Sequence, residues 1–235
     1  MEPDPVAFYA GRAALCYRAA FDGKPSMYIP PHFQEIDQDE IRAIIDAAPL
    51  ACIVAHTAEG LIANHIPLLA GSKEVLIGHV ALANDMHRLI AEGQEVLAIF
   101  RGDDAYVSPN FYPSKPQHHR HVPTWNYQVV HVYGAITFQH DEHAKRAAVG
   151  LLTRMQERRL NGRNAWRMAD APADYMEQML GNIVALRIEV RRVLAKSKLS
   201  QNREERDYLG AISGLRTSGH GELAEKMERR LNRAE

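Results

Sequence analysis

The sequence has few cysteines and no long apolar run. Its two cysteines, Cys16 and Cys52, lie far apart in 235 residues, which disfavours a disulfide framework or a cysteine zinc site. No stretch approaches the roughly 20 consecutive apolar residues of a membrane helix. Arg12 and Arg18 interrupt the N-terminal run that a signal peptide would need to be apolar. We therefore expect a cytoplasmic protein without membrane association.

The sequence also lacks an excess of charge of either sign. It has 28 Lys and Arg against 29 Asp and Glu, a formal net charge of -1. This balance gives no global positive field that would draw the chain onto nucleic acid, so DNA binding would need a local basic patch. The phosphate-binding motifs GxGxxG and GxxxxGK are absent as well.

Hydrophobic periodicity predicts mainly strands, with helices inserted and appended. Strands are predicted at 50–56, 61–69, 75–83, 95–100, 125–138 and 182–194, a functional loop at 103–124, and helices at 37–48, 84–90, 141–159, 175–180, 203–215 and 222–232. The strands read as antiparallel, because hairpin turns separate several of them. This α+β pattern favours a β-barrel over a doubly wound sheet.

Three segments are expected along the chain. Residues 1–26 form an Ala- and Arg-rich extension that ends in Gly-Lys-Pro-Ser and lies outside the main domain. Residues 27–200 form the domain itself. Residues 201–235 form a C-terminal helical segment.

Polar side chains interrupt two of the apolar strands. Alternation along 61–69 places Asn64 on one face among isoleucines and His65 on the other. His79 lies in a strand that runs into a helix capped by Asn84, where free N–H groups could bind a phosphate. The alternatives are an amide bonded to neighbouring backbone and an ordinary helix cap.

The stretch 125–133 alternates aromatic and amide side chains. Trp125 and Tyr127 share one face, while Asn126 and Gln128 share the other. Amides offer donors and acceptors to the edge of a flat heterocycle, and a neighbouring aromatic ring can stack on it. This pattern suits an isoalloxazine ring better than a metal.

Two cationic stretches are candidates for anion binding. His118, His119 and His121 have no nearby carboxylate and lie beside Lys115 and Arg120, which disfavours a metal site and leaves a solvated or phosphate-facing loop. In 195–203, three cations and three polar residues form a cluster that suits phosphate or carboxylate recognition: Lys196, Lys198, Ser200, Gln201, Asn202 and Arg203. The alternative for this stretch is a solvated strand end that caps the last helices.

Six ordered stretches resemble the PaiB family of FMN-binding negative transcriptional regulators. They are MYIPPHF at 27–33, ANHIPL at 63–68, GHVALAN at 78–84, YVSPNFY at 106–112, VPTWNYQVVHVYG at 122–134 and KLSQNR at 198–203. The resemblance runs from about Met27 to Leu215. It implies an FMN-binding split β-barrel that works as a homodimer, with FMN in a cleft between the subunits.

In such barrels the flavin phosphate lies near the stretch that matches GHVALAN and the ring near the stretch that matches ANHIPL. The family commonly has Ser-His-Leu-Pro-Leu in the second stretch, so Asn64 and Ile66 depart from it. The Arg-Lys pair of the related oxidases is also missing, and the KLSQNR cluster could compensate. The predicted FMN site comprises Asn64, His65, Ile66, His79, Val80, Asn84, Lys115, Trp125, Asn126, Lys198, Ser200 and Asn202.

Three functions are consistent with these residues. The first is a flavin-binding repressor, for which direct DNA binding follows from the family resemblance alone, because the helices at 203–232 have mixed charge rather than a basic recognition face. The second is a flavin-dependent oxidoreductase that acts on a small molecule. The third is a heme-handling split barrel. No catalytic set of nucleophile, base and acid emerges.

Overall fold

The computed structural model describes residues 27–71 and 74–232, so the expectation for residues 1–26 lies outside it. The strands in this part of the chain are β1 (Leu50–Thr57), β2 (Gly60–Pro67), β3 (Leu69–Ala70), β4 (Val75–Ala81), β5 (Glu95–Val107), β6 (Thr124–Gln139) and β7 (Ile183–Lys198). They form one mainly antiparallel sheet in the order β2-β1-β5-β6-β7-β4-β3.

The helices are α1 (Gln38–Ala47), α2 (Met86–Leu89), α3 (Lys115–His118), α4 (Glu142–Asn161), α5 (Ala173–Gly181), α6 (Glu205–Thr217) and α7 (Gly221–Leu231). Within the described ranges, none is long and apolar enough to cross a membrane. The predicted hairpin of β1 and β2 is confirmed, and Thr57 closes its turn by donating from Oγ1 to the carbonyl of Gly60 at 2.9 Å.

Two strands extend several residues beyond their predicted ends. β5 continues through residues 101–107, which overlap the predicted loop at 103–124, and β7 continues four residues beyond the predicted end at 194. The charged residues in β5 are accommodated because Asp104 pairs with Arg101 at 2.7 Å and Asp103 with Lys226 at 2.8 Å. The extension of β7 is paired by Gln34, which forms a bridge with Lys196. Partners distant in sequence therefore lengthen both strands.

The described residues divide into two compact units. The first unit takes 45–71, 74–100 and 131–193, and the second takes 27–44, 101–130 and 194–232. In the first unit, β4 passes so close to the end of β2 that a Cβ on Gly78 would lie 2.9 Å from the carbonyl oxygen of Pro67. Only glycine fits at this approach.

The second unit has its own core around α6 and α7. Apolar residues of both helices pack with the end of β5 and with Tyr112. The buried hydroxyl of Tyr208 donates to the carbonyl of Met227 at 2.9 Å, which joins the two helices. Burial, opposed by the charge of Arg230, raises the pKa of Tyr208 to about 12, so the hydroxyl keeps its proton at neutral pH.

Gly210 in α6 is a sharp test of this packing. A methyl group there would lie 2.3 Å from the carbonyl oxygen of Phe111 and 2.5 Å from Cδ of Pro113. We expect Gly210→Ala to lower the free energy of unfolding by about 1–3 kcal/mol, the usual cost of overpacking. Gly221→Ala, where no atom lies within 4 Å, should leave stability unchanged or slightly raised. Equal urea midpoints for the two variants would contradict the close contact between α6 and Phe111.

Candidate functional site

The predicted site residues fall into two groups, one in each unit. Asn64, His65, Ile66, His79, Val80 and Asn84 lie in the first unit, and Lys115, Trp125, Asn126, Lys198, Ser200 and Asn202 lie in the second. Each group contains residues that the fold brings together and residues that it does not.

In the first unit, two of the predicted stretches meet at a pair of amides. Asn84 donates from Nδ2 to Oδ1 of Asn64 at 3.0 Å. The predicted alternation of β2 is observed: Asn64 is half-buried on the same face as the buried Ile66, and His65 is exposed on the other. The pair links the ring stretch to the phosphate stretch of the sequence prediction.

The junction of β4 and α2 is poorly suited to a phosphate. The helix has only four residues, so its dipole is weak. The N–H of Met86 already donates to Oδ1 of Asn84 at 3.0 Å. The carboxylate of Asp85 lies at the same end and pairs with Arg88 at 2.8 Å. These features favour neutral hydrogen bonding at this junction.

Two half-buried histidines lie in the strands of the first unit. Burial lowers the pKa of both His79 and His131, so each imidazole is neutral at pH 7. In each ring, Nδ1 is buried and has no hydrogen-bond partner within the described ranges. His79 can therefore offer a hydrogen bond but no positive charge, and the neighbouring Val80 is 3% exposed.

In the second unit, β6 exposes its aromatic face and buries its amide face. Asn126 and Gln128 are 0% exposed, whereas Trp125 is 52% exposed. Oδ1 of Asn126 accepts from the hydroxyl of Ser200 at 3.1 Å, and Nε2 of Gln128 donates to Oγ of Ser197 at 3.0 Å. Both amides are thus bonded inside the protein, and the open face of the strand carries Trp125 and Tyr127.

This open face forms one wall of a cavity of about 580 Å³. We call it the lysine-aromatic cavity; it is lined by Tyr28, Pro30, His32, Phe33, Pro123, Thr124, Trp125, Tyr127, Lys196 and Lys198. Its residues come from three stretches that carry the family resemblance or adjoin one of them: 27–33, 122–134 and the end of β7. Stretches that are far apart in sequence therefore meet at one site.

Two ammonium groups lie against the aromatic rings of this cavity. Nζ of Lys196 is 5.2 Å from the centroid of the Tyr127 ring and donates to the carbonyl of Tyr28 at 3.1 Å. Nζ of Lys198 donates to Oγ1 of Thr124 at 2.5 Å. Neither lysine has a carboxylate partner in the part of the chain that the structure describes.

The charge of this lysine pair is not neutralised. Burial and then the charges of Lys196 and Arg203 lower the pKa of Lys198 below its ordinary value. The protonated state of Lys198 is therefore disfavoured by its surroundings. A bound anion would stabilise that state, because it would supply the missing opposite charge.

The other predicted residues of the second unit lie outside the cavity lining. Nζ of Lys115 donates to Oδ1 of Asn110. Ser200 is buried in a turn with φ of +66°, and Asn202 is exposed. Tyr28, Tyr127 and Lys196 line the cavity but are not in the predicted FMN site, although Lys196 belongs to the predicted cationic cluster at 195–203. The signal for two of them was the period of two, which places Tyr127 beside Trp125 and Lys196 beside Lys198 on the same strand faces.

One of the loop histidines, His121, makes a buried contact with Ser114. Oγ of Ser114 donates to Oδ2 of Asp207 at 2.6 Å and lies 2.6 Å from Nε2 of His121. Burial raises the pKa of Asp207, but the hydrogen bonds from Ser114 and the nearby His121 and Arg206 together lower it below its ordinary value, so the carboxylate stays ionised. Ser114 is 1% exposed and lies between the acid and the histidine, so the three residues clamp the loop to α6 rather than form a nucleophilic triad.

Comparison with known proteins identifies the family. Residues 27–192 match the family described as "Putative FMN-binding domain". Over 214 residues the chain is 32% identical to the protease synthase and sporulation protein PAI 2 of Bacillus subtilis strain 168. The aligned region covers 88% of this chain and 99% of that protein. These matches support the resemblance that the six stretches indicated.

Solved structures support the fold. The chain is similar to the FAD and heme binding protein from Mycobacterium smegmatis, at 17% identity and a TM-score of 0.55, over 76% of this chain and 79% of that one. It is also similar to a flavocytochrome from Azotobacter vinelandii, at 16% identity and a TM-score of 0.52, over 77% and 78%. The expected α+β split barrel is confirmed. The chain belongs to the PaiB family of FMN-binding split-barrel proteins, and its cofactor is FMN.

Proposed function

We propose that this protein is an FMN-binding regulator that acts as a homodimer and holds FMN in the lysine-aromatic cavity. The observation that carries the proposal is the pairing of aromatic walls with two unneutralised lysines in one cavity of about 580 Å³. This volume lies in the range of about 300–1,000 Å³ that is usual for small-ligand sites.

The two parts of FMN match the two parts of the cavity. A flat ring system can stack on Trp125 or Tyr127, because aromatic rings pack favourably in offset or edge-to-face arrangements. The phosphate can be bound by Lys196 and Lys198, which keep unused N–H donors in addition to their bonds within the protein. Stacking orients the ring, and the lysines supply the charge.

When bound, FMN would supply the redox chemistry of its flavin ring. The residues of the cavity bind and orient it. The buried hydroxyl of Ser114 donates to Asp207 and takes no part in a reaction. A regulatory role is supported by the likeness to the sporulation protein of Bacillus subtilis, and we extend it to DNA as the partner. A homodimer follows from the family resemblance.

The Asn64 and Asn84 pair is the second candidate for FMN. The two amides and the neutral His79 could meet the polar edge of the ring. The junction lacks an unpaired cation for the phosphate among the described residues, since Arg88 pairs with Asp85. We therefore favour the cavity.

Replacing Lys198 tests the cavity directly. We expect Lys198→Gln to weaken FMN binding by about 1.5–3 kcal/mol, roughly 10- to 150-fold, because it removes a charge-assisted hydrogen bond to the phosphate. Trp125→Leu should weaken binding by about 0.5–1.5 kcal/mol through loss of stacking. The FMN affinity of each variant is measured by titrating FMN with protein and following the quenching of FMN fluorescence.

Lys115→Gln is the matched control, since it removes the same charge in the same unit but outside the cavity lining. It should leave FMN affinity unchanged. Asn64→Leu should do the same. If Asn64→Leu weakens binding and Lys198→Gln does not, FMN lies at the amide pair and the cavity assignment is wrong.

Binding should also depend on pH in the alkaline range. The pKa of Lys198 is already lowered, and the phosphate binds the protonated amine. FMN affinity should therefore be constant near neutrality and fall as pH rises through the pKa of Lys198, below its ordinary value of about 10.4. In Lys198→Gln this fall should be reduced. An affinity that is independent of pH up to 10 would argue against a role for Lys198.

The purified protein should elute as a homodimer with a flavin absorbance band. Light scattering should give twice the mass of one chain, and the visible spectrum should lack a heme Soret band. Sustained oxidation of NAD(P)H by the FMN-loaded protein would instead favour an oxidoreductase. A monomer that ignores micromolar FMN would refute the proposal.

A further inference from the structure

A second basic site lies in the first unit, at the C-terminal end of α4. A groove of about 410 Å³ is lined by residues of this helix and of the segment that follows it. We call it the arginine groove; its charged and aromatic lining residues are Arg154, Arg158, Arg163, Arg167 and Trp166. It shares no residue with the lysine-aromatic cavity or with the Asn64 and Asn84 pair.

The sequence concentrates positive charge in this segment. Residues 154–167 contain five arginines and one carboxylate, Glu157, in a chain whose formal net charge is -1. Arg154 and Arg158 are four residues apart and therefore lie on the same face of the helix. A chain without a global positive field thus carries a strong local one.

The single carboxylate of the segment is engaged in holding the groove together. One oxygen, Oε2 of Glu157, accepts from Nδ2 of Asn161 at 2.7 Å and from the backbone N–H of Trp166 at 2.9 Å. These two hydrogen bonds lower the pKa of Glu157, so the anchor is ionised at neutral pH. The contact fixes Trp166, which is 41% exposed, beside the helix end.

The arginines of the groove remain available for an anion. Arg154, Arg158 and Arg163 have no ion pair within residues 27–71 and 74–232. Arg167 approaches Asp170 only at 3.9 Å. Two other exposed arginines illustrate the contrast, because Arg146 pairs with Glu142 at 2.6 Å and Arg216 pairs with Glu228 at 2.8 Å. A simple solvated helix face would not explain a concave site with an anchored, exposed tryptophan.

We propose that the arginine groove binds the phosphodiester backbone of nucleic acid, with Trp166 packing against a sugar or an unpaired base. Unpaired guanidinium groups bind phosphates through two parallel hydrogen bonds. Proteins that bind single-stranded nucleic acids commonly place an exposed aromatic ring beside such cations, and the bases stack on the ring. The inference rests on the proposed regulatory function and gives its nucleic-acid partner a surface.

The test compares two triple variants with the same loss of charge. The groove variant replaces with glutamine the three groove arginines that have no ion pair, Arg154, Arg158 and Arg163, and keeps Arg167. The control replaces Arg146, Arg206 and Arg216 with glutamine; these three are exposed and paired with carboxylates. Affinity is measured by fluorescence anisotropy with a labelled duplex and a single strand of equal length and random sequence. Each is titrated at several salt concentrations with FMN-loaded protein.

We expect the groove variant to bind roughly tenfold more weakly or worse, and the control to bind as the wild type does. On the duplex, the slope of log affinity against log salt should become shallower by about 0.9 for each lost phosphate contact. Trp166→Ala should lower the affinity for the single strand more than the affinity for the duplex if the ring stacks on a base. Inorganic phosphate at millimolar concentration should compete poorly.

Several outcomes would overturn the proposal. They are equal affinities for the groove variant and the control, no salt-dependent binding by the wild type, and phosphate competition as effective as that of the oligonucleotides. FMN titration and thermal unfolding of the same variants separate the causes. A groove variant with unchanged FMN affinity and thermal stability but weaker oligonucleotide binding supports the groove as the nucleic-acid site. A wild type that binds FMN but no oligonucleotide refutes the groove and leaves the FMN proposal intact.

Discussion

The candidate FMN site depends on the alternation of side chains along β6 and β7. On each strand, one face carries hydrogen-bonding groups into the interior and the other carries aromatic rings or ammonium groups to the cavity. The bond between Gln128 and Ser197 joins the inner faces of the two strands. A shift of one residue in either strand would exchange the two sets, because side chains alternate with a period of two. The buried amides therefore fix the register that places the lysines.

Both candidate sites concentrate cations that have no carboxylate partner among the described residues. Most exposed cations of α6 and α7 have a carboxylate close by, as Arg216 has Glu228. Lys196 and Lys198 instead lie against aromatic rings. In the arginine groove, the carboxylate of Glu157 accepts from the amide of Asn161 and the backbone N–H of Trp166. Unneutralised charge is a cost to the folded protein unless an anion offsets it. That cost is the physical reason for assigning ligands to both places.

The elements were largely predictable from local patterns. Helix α1 and the hairpin of β1 and β2 follow from a capping aspartate, apolar spacing and a turn, all of which are local signals. The extensions of β5 and β7 were missed, because their partners, Lys226 and Gln34, are far away in sequence. The inward orientation of Asn64 was also predictable, since alternation alone sets it. Its partner, Asn84, was not.

The sequence by itself determined the family and the cofactor, because the ordered motifs that identify them are properties of the chain. Only the tertiary structure decided which face of β6 is open. It gave Asn126 and Gln128 buried partners and left Trp125 and Tyr127 facing the cavity with Lys196 and Lys198. It also showed which charges are paired. The physical reason is that hydrogen-bond and ion-pair partners come from distant segments, and their proximity exists only in the folded chain.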